Sequence, residues 1–513
     1  MNTTPYWIDT APLPEFSRLN RDVECDVVVV GGGITGITAA YLLKQEGKRV
    51  VLLERDRCAV HETGHTTAHI THVTDKPLHT LVDDFGRDHA RAIWDSLRAA
   101  IDQIAMNIRR EQIQCELVWV PGYLHTPFAD NPDNKTIDGL HKDAELAKEL
   151  GFEATFRESV PVIGRPGVQF SGQAKFHPRK YVAGLLKAIP GEGCDVFERT
   201  NVDEVEESPL VVRANNHRVR CSYVVIATHV PIMGKTGALS ATLLQTKLYP
   251  YSSYAMGARV PSGTMPEAIF WDTGDPYYYL RVDRHQDHDY IIYGGEDHKT
   301  GTEAKTVEIF RRLAEALHGL VPDAVADHQW SGQVVETPDG LPYIGETTDR
   351  QFVSTGYSGQ GMTFGTLGAM LAVDAYLRRN NPWSDLYAPD RKAIKSGKWD
   401  YLRENAQFPY YLVRDRLARA EDDELSALAR NSGMILSLSG KKVAAFRDQD
   451  GNVTLLSPVC THLKCIVAWN QAEQTWDCPC HGSRFRATGE VLAGPAEENL
   501  EKISSAEISA RKR

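Results

Sequence analysis

No apolar run in the sequence approaches the roughly 18 residues that a membrane-spanning helix needs. Basic charge is not in excess either. A net charge of -11 leaves no cationic surface for nucleic-acid phosphates to repay through counter-ion release. The opening stretch MNTTPYWIDTAPLPEF lacks the basic and apolar regions of a signal peptide, so a cytoplasmic protein is expected. Internal repeats and low-complexity segments are also missing. What remains is the balance of a soluble globular chain, 42% hydrophobic and 24% charged, whose 513 residues suggest about three domains or one large α/β unit with an attachment.

Cysteine is sparse except in one place. Cys25, Cys58, Cys115, Cys194 and Cys221 are scattered and expected to be core thiols, whereas Cys460, Cys465, Cys478 and Cys480 crowd together near the C-terminus. In a cytosolic chain such crowding points to metal binding rather than to a disulfide scaffold.

From Cys25 the chain reads CDVVVV, the continuous apolar run of a strand buried on both faces. ITGITAAYLLKQE, residues 34–46, has helical spacing, and RVVLLE, residues 49–54, is a second buried strand. The spacing predicts helices over much of 75–115 and 136–150, strand and loop over 157–175, and a helix in HPRKYVAGLLKAI. VVIATH, 224–229, is another buried strand; 247–300 alternates and is rich in aromatics, as in an antiparallel sheet; 303–318 is helical. Residues 331–378 return to α/β texture, 380–412 reads as an arm, and the last hundred residues are short strands and glycine turns.

Between the first strand and helix lies Gly31-Gly32-Gly33-Ile34-Thr35-Gly36, a GxGxxG in the context its chemistry requires. Gly31 makes the tight turn, Gly33 lets backbone approach a pyrophosphate, and Gly36 lets the helix pack on the strand; the helix N-terminus offers N–H groups to phosphate. Glu54, eighteen residues after Gly36, ends the second strand where a carboxylate can accept from ribose hydroxyls. The motif alone serves FAD or NAD. A second strand-glycine-helix unit for a pyridine nucleotide is absent, so electrons are expected to enter from an organic substrate.

Residues 22–392 resemble the FAD-dependent D-amino acid oxidase superfamily, which includes glycine oxidase and sarcosine oxidase. The marks are the cradle with Glu54, VVIATH, and TPDGLPYIG followed by STGYSGQGMTFG. The resemblance implies an α/β fold, with a Rossmann-type FAD-binding domain and an antiparallel-sheet substrate domain. It also implies FAD contacts from Gly31, Gly33, Ile34, Thr35, Gly36, Glu54, Arg55, His65, Thr66, Thr67, Ala227, Gly359, Gly361, Met362 and Thr363. One departure is His229, where the family commonly has glycine, and it puts the local geometry in question.

HETGHTTAHITH, residues 61–72, contains a literal HExxH, the signature of zinc proteases. That motif works only on a helix, and Gly64 with the threonines that follow is poor helix material. In the flavoprotein family this position faces the flavin ring. In the dimethylglycine dehydrogenase branch a histidine here is bonded to the flavin methyl, and the matching residue is His65; Gly64 stands where that branch has tryptophan, so noncovalent contact is the expectation.

Cys460-Thr461-His462 and Cys478-Pro479-Cys480-His481, separated by fifteen residues, offer one cysteine and one histidine from each loop. Zinc can take two of each, but zinc fingers pair like with like; a Rieske 2Fe-2S centre puts both thiolates on one iron and both imidazoles on the other. SPVCTHLKC, CPCHGSRF and GPAEENL resemble the Rieske family across 425–505, implying a C-terminal all-β domain with Cys460, His462, Cys478 and His481 as cluster ligands. Cys465 and Cys480 match that family's loop-bridging disulfide. Ser483 matches a hydrogen-bond donor to sulfur, and Phe485 replaces the tyrosine of high-potential members, which implies an intermediate potential.

The expected division is an FAD-dependent oxidoreductase domain at 1–395, a linker at 396–422 and a Rieske domain at 423–513. Within the first, FAD-binding segments are about 22–75, 176–245 and 331–380, and substrate-domain segments about 76–175 and 246–330. One chain with both cofactors suggests hydride transfer from an amine or amino acid to FAD, then single electrons through the cluster to an external acceptor, a protein or a quinone. The alternatives are an electron-transfer or redox-sensing protein, and an amine oxidase using oxygen. A Rieske oxygenase would need a mononuclear iron site, for which about thirty following residues leave no room. Arg281 is a candidate anchor for a substrate carboxylate. Tyr251, Tyr278 and Tyr279 are candidate pocket walls, and no catalytic base stands out.

Overall fold

Val27–Val30 is buried at every residue, and its two faces enter different cores. Val27 and Val29 pack with Ile37 and Tyr41 of the helix Ile34–Gln45 and with Leu367 of the helix Gly361–Tyr376. Val28 and Val30 pack with Val212 and Val219 of a small second sheet. The unbroken run of valines is thus the signature of a strand covered above and below.

The computed structural model describes residues 1–128, 133–231, 244–391, 425, 428–438 and 440–504. The expected linker, 396–422, lies outside them. Val27–Val30 is central to a six-stranded sheet in the order Tyr343–Thr348, Gln351–Thr355, Tyr223–Ile226, Val27–Val30, Val50–Leu53, Asp195–Phe197. All neighbours are parallel except the first pair, a hairpin. The second sheet joins Val23–Glu24, His217–Arg220, Leu210–Ala214 and Val202–Glu207, which the sequence pattern did not suggest.

A nine-stranded sheet forms the other half. Its long strands Val325–Glu336, Tyr249–Val260 and Asp289–Lys299 lie side by side, followed by Tyr279–Arg284 and Ile269–Asp272. Val118–His125 and Gly167–Lys175 extend it, and His69–Ile70 closes the edge. The helix Thr306–Leu320 covers one face through Ile309, Leu313 and Leu317. The opposite side looks toward the glycine turn.

The C-terminal region is all β. A three-stranded sheet, Ser432–Leu438, Lys441–Arg447 and Val453–Leu456, adjoins a four-stranded one built from Ala468–Asn470, Thr475–Asp477, Arg484–Arg486 and Val491–Ala493. Trp476 and Phe485 are fully buried in its core.

Candidate active site

The strand Val27–Val30 runs into Gly31, where the chain turns at φ +107°. A Cβ at that position would fall 2.4 Å from the Ala227 carbonyl oxygen, and one at Gly36 would fall 1.9 Å from the Gly31 oxygen. The helix therefore rests on the turn itself. No side chain caps this helix through its N-cap residue Gly33. The Ile34 N–H donates to Thr63 Oγ1 at 2.9 Å, and the Gly32 N–H donates to Glu54 Oε2 at 2.6 Å. Glu54 Oε1 accepts from the Asp56 N–H, and each of its oxygens retains acceptor capacity for a ribose hydroxyl.

The loop after Glu54 carries a four-residue helix, Glu62–His65, yet its HExxH side chains diverge. His61 Nε2 pairs with Asp56 Oδ2 at 2.8 Å, Glu62 Oε2 accepts from the Gln333 N–H at 2.6 Å, and His65 Nδ1 donates to the Ser331 carbonyl at 2.6 Å. Among the described residues, the one group of three close metal-donor side chains is Cys465, Cys478 and Cys480 in the C-terminal region, two of which are joined as a disulfide. A carbonyl only accepts, so His65 Nδ1 carries hydrogen.

These elements surround a cavity of about 640 Å³, within the range of cofactor and ligand sites. The predicted FAD residues line it, with two exceptions. Gly36 lies beneath the turn, and Thr363 is fully buried with Oγ1 turned back to the Gln360 carbonyl. His229 also lines the cavity, at φ +67°, the left-handed conformation that explains glycine as the usual occupant. Its Nε2 is buried without a hydrogen bond, and burial keeps the ring neutral.

The nine-stranded sheet supplies the remaining wall, and here the structure corrects the sequence. Arg281 is 2% exposed and outside the lining. Its guanidinium donates to the carbonyls of Thr67, Ala68 and Phe176 and to Asp283 Oδ1 at 2.6 Å, and lies 5.0 Å from the Trp7 ring. A buried cation needs such acceptors, so Arg281 braces the flavin-facing loop from behind and does not anchor a substrate carboxylate. Tyr279 opens the strand Tyr279–Arg284 and faces the cavity with Tyr277 of the loop before it, while Tyr278 between them turns away to Glu296 Oε1 at 2.6 Å, stacked on Tyr293. Tyr251, opposite Lys299 and Val334, is also outside the lining. Tyr277, Asp75 and Gln333 belong to the wall, and no sequence motif marks them.

In the C-terminal region, Cys460 and His462 approach Cys478 and His481 from a second loop. The Cys478 thiol donates to Cys460, holding Cys460 down at about 7 and pushing Cys478 up, as for two sulfurs sharing one proton. Burial lowers His462 to about 4 and His481 to about 3, so both imidazoles are neutral with lone pairs to give. Their rings are 5.1 Å apart, and His462 Nε2 is buried without a hydrogen bond. Two sulfurs sharing one proton beside two neutral imidazoles suit a metal cluster. Ser483 Oγ accepts from the Ala496 N–H and interacts with the Cys460 sulfur. Cys465 and Cys480 form the disulfide that ties the two loops together.

The second of these loops docks on the flavin-type domain. Gln333 Nε2 donates to the Gly482 carbonyl at 2.9 Å, and a Cβ on Gly301 would come 2.8 Å from the Pro479 nitrogen. Arg55 donates to the Leu492 carbonyl at 2.7 Å, and Arg486 lies 3.6 Å from Asp56. Arg484, Arg486 and the turn 492–497 contribute to the cavity lining, so one cavity is bounded by both domains.

Residues 26–375 match the sequence model of the FAD dependent oxidoreductase family, and residues 419–504 that of the Rieske [2Fe-2S] domain. The chain belongs to the FAD-dependent oxidoreductase family. It is an oxidoreductase of the D-amino acid oxidase type with a C-terminal Rieske domain, and its cofactors are FAD and a 2Fe-2S cluster. The putative Rieske 2Fe-2S iron-sulfur protein YhfW of Bacillus subtilis is 33% identical over 97% of both chains. Gamma-glutamylputrescine oxidoreductase of Escherichia coli is 24% identical over 73% of this chain and 88% of its own. Glycine oxidase from Geobacillus kaustophilus shares the fold, with a TM-score of 0.59 at 19% identity over 72% of this oxidoreductase and 100% of that chain. Among the described residues, no helix is long and apolar enough to cross a membrane.

Proposed function

We propose that this oxidoreductase dehydrogenates an amine or amino acid at FAD and passes the electrons singly through its Rieske cluster to an external acceptor, a protein or a quinone. FAD supplies a two-electron acceptor, and the cluster a one-electron carrier. The observation that carries the reading is the shared cavity: Gln333 lines it and also holds Gly482, the residue after the expected cluster ligand His481. Donor and carrier sites are therefore neighbours within one chain.

In this reading the cradle at Gly31 to Thr35 and Glu54 hold the dinucleotide, and the segment Gly359 to Met362 closes over it. His65 touches the flavin without a covalent bond, so acid precipitation is expected to leave a colourless pellet and a yellow supernatant. Cys460, His462, Cys478 and His481 hold the irons. An anaerobic panel of amines and amino acids, followed by flavin absorbance and by the EPR signal of the reduced cluster, tests the function. Bleaching of the flavin by one of these substrates, with the cluster signal appearing after it, supports the reading. Reduction by a ferredoxin-type donor with no response to any substrate would favour electron transfer alone, and stoichiometric peroxide in air would favour an oxidase.

A further inference from the structure

The sheet-side wall of the cavity is acidic and aromatic, and among the described residues it contains no cation. Trp271, Tyr277 and Tyr279 form it, with the Tyr277 and Tyr279 rings 5.7 Å apart and Ser253 bonded to the Tyr279 hydroxyl at 2.8 Å. The neighbouring His69 is held at about 4 by burial and is therefore neutral. Among the described residues, the arginines in the lining are Arg55 and Arg57 beside the cradle and Arg484 and Arg486 on the Rieske domain, and no lysine joins them.

Asp75 opens onto this wall. Its Oδ2 accepts the Gly359 N–H at 3.1 Å. A Cβ built on Gly359 would lie 3.0 Å from the Tyr277 hydroxyl and 3.1 Å from Asp75 Oδ2, so hydroxyl and carboxylate converge on one point of the flavin-closing segment. Asp297 lies behind Tyr277 and Ser253, near enough to Asp75 for the two charges to repel, and its Oδ1 is buried without a hydrogen bond. Asp75 is open to the cavity and Asp297 half-buried behind the tyrosines, so this wall presents a carboxylate beside aromatic rings, the pairing that attracts a cation by charge and by the ring faces. An amino acid bound with its amine here would instead bring a carboxylate against Asp75, with no arginine among the described residues of that wall to receive it.

We propose that the substrate is an alkylamine bound as its cation, with no carboxylate next to the amine, held by Asp75 against the rings of Tyr277 and Tyr279. This rests on the oxidation reading given above. Asp75 also takes the ammonium proton: the N–H bond breaks, an O–H bond forms on the carboxylate, and the nitrogen keeps its lone pair as the neutral amine that oxidation requires.

The test uses the holoenzyme and two small probes of similar shape and opposite charge, tetramethylammonium and pivalate, titrated against the flavin spectrum. Tetramethylammonium is expected to shift the spectrum and pivalate to leave it unchanged. Asp75→Asn should raise the tetramethylammonium Kd about tenfold or more, and Tyr277→Leu should raise it as well, both with full FAD content and an unaltered cluster EPR signal. Tighter binding of pivalate, or a Kd unchanged in Asp75→Asn, would overturn the assignment. Anaerobic mixing with butylamine and N-methylbutylamine, against glycine, sarcosine and proline, separates the two claims. Flavin reduction by the amines supports the substrate class, whereas reduction by the amino acids alone overturns it and leaves the oxidation reading standing. Reduction by neither class removes the oxidation reading and the substrate with it, while the tetramethylammonium titration still decides the cation site.

Discussion

The side-chain amide of Gln333 donates to the carbonyl oxygen of Gly482 at 2.9 Å, joining the wall of the flavin cavity to the residue that follows His481. Gln333 is 2% exposed and Gly482 sits against Pro250, so water cannot replace the bond. Gln333→Leu leaves that carbonyl unsatisfied at a cost of about 1–3 kcal/mol. The expected result is a slower arrival of electrons at the cluster after photoreduction of the flavin. FAD and iron content should match the wild type, and an unchanged rate would show that the contact does not set the electron route.

Gly36 tolerates no side chain, because the missing Cβ would overlap the Gly31 carbonyl. Gly36→Val is expected to yield protein without FAD but with the Rieske visible and EPR spectra intact, since the cluster loops belong to a separate sheet. Retention of stoichiometric FAD would contradict the cradle assignment.

The Cys465–Cys480 disulfide closes a loop with a sequence separation of 15. On the chain-entropy account a loop of that size is worth about 3 kcal/mol. Cys465→Ala with Cys480→Ala should therefore lose the cluster spectrum at a lower temperature than the wild type. Flavin release, monitored in the same melt, should shift less.

Desolvation by the surrounding protein raises Asp75, which stays open to the cavity, to about 6 and the half-buried Asp297 to about 7, while His69 stays neutral at about 4 and Tyr277 is pushed well above its usual value. A raised carboxyl is ionised only above its shifted value, so the acid pair is charged at pH 8 and discharged at pH 5. Tetramethylammonium has no titratable proton, and its affinity should fall as pH drops through about 7 to 6. A flat profile would separate the acids from cation binding.

The nucleotide fold was legible because its signals are local. CDVVVV, the glycine turn and RVVLLE are contiguous, and backbone sterics at Gly31 and Gly36 leave the residue types no freedom. The Rieske domain was legible for the same reason, each of its loops carrying its own cysteine and histidine. The substrate wall was not. Its members come from separate strands and loops, and whether a tyrosine faces the cavity depends on register: Tyr277 and Tyr279 do, and Tyr278 between them does not. Arg281 misled because an arginine in an aromatic strand suits a carboxylate anchor or a buried brace equally well, and only the carbonyls of Thr67, Ala68 and Phe176 decide between them. The strand Val118–His125 was missed because its partners, Gly167–Lys175 and Ile269–Asp272, are distant in sequence.

The most direct measurement of the central claim is an anaerobic rapid-mixing experiment with an alkylamine, following flavin absorbance and freeze-quenched cluster EPR in the same samples. The flavin is predicted to bleach first and the reduced cluster to appear within the same chain at a rate independent of protein concentration. A cluster that remains oxidised beside a fully bleached flavin, or one reduced at a rate proportional to protein concentration, would contradict it.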